Sequence, residues 1–362
     1  MKFDRSQERS NRVWTKGRDS IAAKREHVTD PYAKAGVSID AGNEAVSRYR
    51  AVLPKRSDPR VLEGIGSFGG CFALEGVRDP VLVASTDGVG TKLLVAAELR
   101  RFDTIGRDLV NHCVNDILCL NANPLFFLDY LAVGKLDAAM AAAIVGGVGA
   151  ACADHEMALL GGETAEMPGL YQSGHFDLAG TIVGAVDRDA LVDVTQVKSG
   201  DIIIGLPANG FHTNGYALVR KTLPPSRWHE RLGDTTIADA LLAIHPSYLR
   251  AIRSAQDAGV AIKAMAHITG GGLIDNLPRA LPPALAARLY PERWNVPSIM
   301  QLVTKEAALD RMSAFRVFNM GVGFCAIIAS AQAGSALAAM PGSIAIGEVE
   351  PIHPGSPTVV IS

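Results

Sequence analysis

Two stretches of this chain hold the residue types that handle phosphate. The run Leu159-Leu160-Gly161-Gly162-Glu163-Thr164-Ala165-Glu166-Met167-Pro168-Gly169 leads an apolar segment into two glycines, then into two carboxylates ahead of a proline. A second apolar run, Val81-Leu82-Val83-Ala84, is followed by Asp87-Gly88-Val89-Gly90-Thr91-Lys92. Carboxylates, a lysine and closely approachable backbone at strand ends are what a magnesium-bound polyphosphate requires. The chemistry they point to is that of an ATP-using enzyme.

A third carboxylate stands where an apolar side chain is expected. The pattern over 104–121 predicts a helix whose apolar stripe is Ile105, Leu109, Cys113, Ile117 and Leu120. At about 100° per residue, Asp116 projects inside that stripe, with His112 at its edge beside Asp108. A charge on the buried side costs several kcal/mol unless it is paired, hydrogen-bonded or metal-bound. Asp116 could therefore bond backbone or a lysine such as Lys92, or it could join Asp87 and Glu163 as a ligand set for a hard cation, with phosphate oxygens and water completing the shell. The metal set is the reading adopted. A glycosidase-like pairing of Glu163 with Glu166 is set aside, because no sugar-stacking aromatic cluster accompanies it.

Three glycine-rich segments invite phosphate. Gly64-Ile65-Gly66-Ser67-Phe68-Gly69 matches the dinucleotide pattern, with Asp87 at a suitable distance. No strand precedes it, however, and too few residues follow for a crossover helix. It reads equally as a flap of Gly66, Ser67, Phe68, Gly69 and Gly70 closing over phosphates, or as a loose loop. The turn Gly88, Gly90, Thr91, Lys92 lacks the Gly-Lys-Ser/Thr order of a P-loop, yet the nearby carboxylates favour a phosphate role. Thr269-Gly270-Gly271-Gly272 ends a strand and opens a helix, where free N–H groups and the helix dipole favour an anion. Tight helix–strand packing is the competing explanation there.

Two histidines are placed for proton transfer. His212 lies in Asn209-Gly210-Phe211-His212-Thr213-Asn214-Gly215-Tyr216, where Thr213 or Asn214 could cap the following helix. His267 closes a strand directly before the triple glycine. His245, before Pro246, reads as a helix terminator. No G-x-S-x-G nucleophile motif occurs.

The elements that must hold these residues alternate. Strands are expected at 81–85, 125–133, 158–161 and 178–186, with helices at 104–121 and 137–155. After a polar turn near 192–201 the alternation resumes: strands at 202–206, 264–268, 322–329 and 343–349, and helices at 214–223, 237–244, 247–258 and 333–340. The expected class is α/β of the α+β type, in two mixed-sheet domains spanning 31–194 and 195–362. At 362 residues the chain is long for a single core. A net charge of -2 without a basic stripe argues against a nucleic-acid partner. The longest apolar stretch, 140–152, is too short to span a bilayer. Five scattered cysteines with no C-x-x-C pair suggest reduced thiols and a cytoplasmic setting. Residues 1–30 carry eight Lys/Arg and five Asp/Glu without an apolar core, so they read as a loose, disordered extension rather than a secretory signal.

These motifs, in this order, resemble the phosphoribosylformylglycinamidine cyclo-ligase (aminoimidazole ribonucleotide synthetase) family. The likeness begins at Tyr32-Ala33-Lys34-Ala35-Gly36-Val37-Ser38-Ile39-Asp40-Ala41-Gly42-Asn43. It continues through the glycine loop at 64–70, Asp87-Lys92, Asn115-Asp116, 124–130, 161–169, His212-Tyr216, 267–272 and Asn319-Met320-Gly321-Val322-Gly323. The resemblance implies a homodimer whose N-terminal domains share an intersubunit β-barrel, with ATP held between the two domains of a chain. It also implies ATP-dependent closure of formylglycinamidine ribonucleotide, with no nucleic acid and no membrane. On it, magnesium falls to Asp87, Asp116 and Glu163, phosphate contact to Lys92 and the 66–70 loop, and proton handling to His212 or His267. Thr269, Gly270, Gly271 and Gly272 would hold either the substrate 5′-phosphate or part of ATP, with Asn214 on the nucleotide side. Residues 1–30 and Phe211 depart from the family pattern. The competing readings are a small-molecule kinase of the thiamine-phosphate type and a catalytically silent ATP-binding scaffold.

Overall fold

The computed structural model describes residues 36–54 and 58–362. The extension expected at 1–30 lies outside these residues, as does the 32–35 part of the first family motif. Helix α1 (Ile39–Val52) starts at Ser38, whose Oγ accepts the Ala41 N–H at 3.1 Å. Strands β1 (Val61–Glu63) and β2 (Cys71–Phe72) pair antiparallel. The G-x-G-x-x-G segment is thus the tip of a hairpin and opens no crossover helix. Phe68 at that tip is fully exposed.

The N-terminal body comprises β3 (Pro80–Gly88), α2 (Lys92–Leu99), α3 (Ile105–Leu118), β4 (Asn123–Val133), α4 (Ala138–Asp154), β5 (Ala158–Glu166) and β6 (Phe176–Asp187). Its sheet runs β3-β6-β4-β5, with β4 and β5 parallel and the other pairs antiparallel. Alternation fixes the two faces. Val83, Phe127, Leu131 and Ile182 are buried beneath α3 and α4, whereas Leu82, Leu128 and Tyr130 stay exposed on the outer face. Helix α4 is Ala/Gly-rich because it is packed between α1 and α3. A Cβ on Gly106 of α3 would stand 2.2 Å from the Ile144 carbonyl oxygen of α4.

The C-terminal body holds β7 (Ile202–Pro207), α5 (Tyr216–Thr222), the short hairpin β8 (Arg231–Leu232) and β9 (Thr235–Thr236), α6 (Ile237–Leu241), α7 (Leu249–Asp257), β10 (Ile262–His267) and α8 (Gly272–Asn276). It continues with β11 (Leu285–Leu289), α9 (Ser298–Glu306), α10 (Arg311–Val317), β12 (Val322–Ile328), α11 (Ala333–Ala339), β13 (Ile344–Pro351) and β14 (Val359–Ile361). The six-stranded sheet has the order β10-β12-β7-β13-β11-β14. Every residue of β12 is buried, which accounts for its unbroken apolar sequence.

Three expectations change. Strand β5 does not stop at Gly161 but runs through both glycines to Glu166, pairing in parallel register with 126–133 of β4. The glycines are strand residues that admit a close neighbour: a Cβ on Gly162 would lie 2.2 Å from Asp129 Oδ1. Helix α5 begins at Tyr216, and its N-cap is Gly215 at φ 76° with no side-chain cap, rather than Thr213 or Asn214. The helix after the triple glycine is the short α8, continued by a 3₁₀ turn over Leu277–Ala280.

Candidate active site at the domain seam

The two bodies meet along one polar stripe of α3. Asp108, Asn111 and Asn115 recur at helical spacing and capture the backbone of 245–248. Asp108 Oδ1 accepts the His245 N–H (2.7 Å), and Asn111 Nδ2 donates to the His245 carbonyl (2.7 Å). Asn115 Nδ2 donates to the Pro246 carbonyl (2.9 Å), while its Oδ1 accepts the Tyr248 N–H (2.9 Å). These bonds satisfy backbone groups that the seam would otherwise bury unpaired.

Beside this stripe stand Asp87 at the end of β3 and Asp116 on α3, drawn together around imidazoles. His112 Nε2 lies 2.7 Å from Asp87 Oδ2 and 3.8 Å from Asp116 Oδ2. His267 Nδ1 lies 2.8 Å from Asp116 Oδ1, and Ser85 Oγ donates to Asp116 Oδ2 at 3.0 Å. Burial pushes the His112 pKa down, but the Asp87 bond and the charges of Asp116, Asp87 and Asp108 outweigh it and raise the net value. Burial dominates at His267, lowering it to about 4 despite the Asp116 bond. Asp87 and Asp116 would each rise on burial, yet their histidine contacts hold both below the ordinary carboxylate value. Among the influences that lower Asp116, the His267 contact comes first, followed by His112 and the Ser85 hydroxyl. Two ionised carboxylates therefore face a cleft, with Asp87 the more exposed.

Lys92 does not reach that cleft. It is fully buried, with Nζ 2.7 Å from Asp108 Oδ2 and donating to the Ala243 carbonyl at 2.7 Å. Burial drives its pKa down and that of Asp108 up, each opposed by the other's charge. The lysine pins α2 to α3 and to the C-terminal body. The expected phosphate contact is corrected here, since the ammonium already has a buried partner.

Glu163 is also apart from Asp87 and Asp116. Across the sheet, Gly88, Ala179, Tyr130 and Glu163 form one row, so β5 sits three strand spacings from β3, about 14 Å. That row faces outward, opposite to the Asp87, Gly180, Asp129, Gly162 row. The three-carboxylate set is therefore not assembled within one chain, and His112 takes the third place beside Asp87 and Asp116. Glu163 instead lines a cavity of about 550 Å³ together with Ser38, Tyr49, Gly66, Ser67 and Asp129. Glu166 is structural: its carboxylate accepts the N–H groups of Ser38 (2.7 Å) and Leu136 (2.8 Å). Asp129, which sequence reasoning passed over, is buried without a cationic partner among the described residues, and burial pushes its pKa up to about 7. A somewhat larger cavity, about 660 Å³ under β1, contains no cluster of carboxylates with histidines among the described residues.

The glycine segments divide by cause. Gly66, Ser67, Phe68, Gly69 and Gly70 are exposed at the hairpin tip, free to approach a ligand. Gly88 ends β3, Gly90 turns with φ 66°, and Thr91 precedes α2, so this turn lies directly beside Asp87. Gly271 (φ 94°) and Gly272 (φ 58°) are required by their conformation, and a Cβ on Gly272 would meet the Phe315 carbonyl oxygen at 2.0 Å. Packing thus explains two of the three consecutive glycines. Gly270 is exposed, with Asn214 Oδ1 close to where its Cβ would be and Thr269 partly buried beside it.

His212 is buried and left-handed (φ 61°), and neither ring nitrogen has a partner among the described residues. Its ring stacks on His245 at 4.0 Å between centroids. Burial, followed by the neighbouring cationic groups, lowers its pKa well below the ordinary value. His245 carried no periodic or motif signal. Only the seam gives it neighbours.

The geometry defines a two-domain scaffold with paired carboxylates and histidines at the seam, and the comparisons agree on the two domains. Residues 71–186 match the AIR synthase related protein N-terminal domain, and residues 198–356 match the corresponding C-terminal domain. Solved structures share the fold. One is the hydrogenase maturation protein HypE in complex with ATP (TM-score 0.65, 17% identity, 91% of this chain and 93% of that chain). Another is thiamine-monophosphate kinase from Stenotrophomonas maltophilia K279a (TM-score 0.57, 18% identity, 88% and 96%). Curated relatives named phosphoribosylformylglycinamidine cyclo-ligase are far more similar. That of Desulfitobacterium hafniense is 47% identical over 302 residues (82% of this chain, 88% of the relative). That of Bordetella pertussis is 44% identical over 338 residues (91% and 97%). The chain belongs to the phosphoribosylformylglycinamidine cyclo-ligase family.

Proposed function

We propose that this protein closes formylglycinamidine ribonucleotide to 5-aminoimidazole ribonucleotide in de novo purine synthesis, consuming ATP and releasing ADP and phosphate, as a cytoplasmic homodimer that uses magnesium. The observation that carries the reading is the pairing of Asp87 and Asp116 beside the Gly88–Gly90 turn, in a chain of this family.

A formamide oxygen is a poor leaving group, so it is first phosphorylated by the γ-phosphoryl group of ATP. The amidine nitrogen then attacks the activated carbon, a C–N bond forms, the C–O bond breaks and phosphate departs with the oxygen. Phosphoryl transfer of this kind depends on positioning and charge neutralisation rather than on a protein nucleophile. Asp87 and Asp116 are oxygen donors kept ionised at neutral pH, which fits a hard cation. Bound there, magnesium would neutralise polyphosphate charge. The hairpin tip at 66–70 closes over phosphate, while Gly88, Gly90, Thr91, Thr269, Gly270 and Asn214 supply polar and backbone contacts to it. His212 accepts the amidine proton: it is neutral, its nitrogens are uncommitted and its backbone is held in a strained conformation. His267, by contrast, is already engaged with Asp116.

The exposed outer face of β3-β6-β4-β5, with Leu82 (61%), Leu128 (37%) and Tyr130 (40%), is the surface a second copy covers to form the shared barrel. Because Glu163 lies on that outer face, it serves the metal site only in the dimer.

The test measures ADP and aminoimidazole ribonucleotide release with MgATP and formylglycinamidine ribonucleotide. One ADP per imidazole is expected, with a loss of about 100-fold or more in Asp116→Asn protein that still folds. Folded, ATP-binding protein that makes no imidazole would leave a kinase or a scaffold instead.

A further inference from the structure

The seam brings two imidazole nitrogens face to face. His267 Nε2 and His245 Nε2 lie 3.2 Å apart. The carboxylate of Asp116 lies 2.8 Å from Nδ1 of His267 and takes that N–H, which turns Nε2 toward His245. Asn115 is fixed in orientation by its bonds to the Pro246 carbonyl and the Tyr248 N–H, so its Nδ2 faces the one lone pair of His245 Nε2 at 3.2 Å. Both contacts to His245 Nε2 are long, and a cation bound there would take the place of the amide contact.

A third imidazole completes the group. The ring centroids of His112, His245 and His267 are separated by 5.4, 4.8 and 5.1 Å, and one nitrogen from each lies within 4.8 Å of the others. All three residues are buried. Asp116 holds the far nitrogen of His267, and Asp87 holds Nε2 of His112 at 2.7 Å, which is the carboxylate support that orients metal-binding histidines. The remaining His112 nitrogen, Nδ1, stands beside Thr213 Oγ1 at 2.9 Å, a hydroxyl that can turn away. Zinc–imidazole bonds of 2.0–2.1 Å set tetrahedral nitrogen separations of about 3.3 Å, close to the His245–His267 spacing.

We propose that His112, His245 and His267 form a binding site for a zinc-class divalent cation at the domain seam, separate from the magnesium at the Asp87 and Asp116 oxygens. Imidazole nitrogens select zinc, cobalt, nickel or copper over magnesium, which prefers oxygen. The partly exposed Asp87 and Asp116 carboxylates form the entry side. Joining α3 to β10 and to the segment after α6, the ion would tie the two bodies together and support the adjacent carboxylates.

The experiment uses the full, untagged chain, stripped with chelator and titrated with Co²⁺ in excess Mg²⁺. About one cobalt per chain, retained after gel filtration and with visible d–d absorption typical of nitrogen ligation, is expected. His245→Asn and His112→Gln should each weaken retention by about 100-fold or more, with circular dichroism reporting whether they fold. Unmodified protein that retains no cobalt and shows no such absorption overturns the proposal, whatever the variants do. Retention unchanged in both folded variants overturns it as well, by placing the ion elsewhere.

Discussion

The carboxylates of the seam and those of the N-terminal cavity belong to the same small body yet behave oppositely. Asp87 and Asp116 are partly buried, but His112 and His267 bring them below the ordinary carboxylate pKa. Asp129 is two strands from Asp87 in the same inward-facing row, and burial raises it to about 7, with no cation among the described residues to answer it. Burial alone therefore does not decide the charge of a carboxylate here. The deciding factor is whether α3 or β10 delivers an imidazole to it. The seam is equipped to stay ionised and meet a cation, whereas the cavity holds a carboxyl that is half protonated near neutral pH.

The largest expected effect separates the two regions by chain. Asp116→Asn and Glu163→Gln should each abolish most activity, but if a dimer joins the seam of one copy to the β5 of the other, mixing the two variants restores function. Random reassociation gives about a quarter of the wild-type rate, since half the dimers are mixed and each has one intact site. A mixture as inactive as its components would confine the site to one chain.

Next comes the buried pair. Lys92→Met leaves Asp108 uncompensated at the seam and should lower stability by about 3–5 kcal/mol in urea unfolding. A Lys92→Met, Asp108→Asn double variant, which removes both charges and keeps an acceptor for the His245 N–H, should recover much of that loss. An unchanged midpoint together with a raised KM for ATP would return Lys92 to the phosphates.

The smallest effect concerns Asp129. Its folded pKa lies above the unfolded 3.8, so ionising it costs the folded state increasingly as pH rises from about 4 through about 7, and fully above that. Asp129→Asn should therefore stabilise the protein by about 1–3 kcal/mol at pH 8, below the roughly 4 kcal/mol of the whole shift because the amide has its own bonding needs. The gain should shrink toward pH 4.5. A loss of stability at pH 8 instead of a gain would show that Asp129 has a cationic partner.

Much of the framework was legible in advance. The strands at 125–133 and 178–186, the helix at 137–155 and the buried β12 announce themselves through apolar period and length, because each meets the core with a regular face. Asp116 was legible as well, as a charge inside an apolar stripe. The β5 extension was hidden because glycines read as a turn, whereas here they admit the Asp129 carboxylate and the neighbouring strand. The triple glycine was legible as a special backbone, but Gly271 and Gly272 answer to positive φ, and Gly272 also to the Phe315 and Phe318 carbonyls, rather than to an anion.

By itself the sequence determined the family, the two mixed-sheet bodies and the chemistry of the residues available, since these follow from local periodicity and ordered motifs. Tertiary structure decided which of those residues meet. It sent Lys92 into a buried pair, put Glu163 on the opposite face and three strands away from Asp87, and gathered His112, His245 and His267 from three distant segments around one point. Sequence spacing fixes which way a side chain leaves its own strand or helix. The distance between side chains on different elements is set only by how those elements pack.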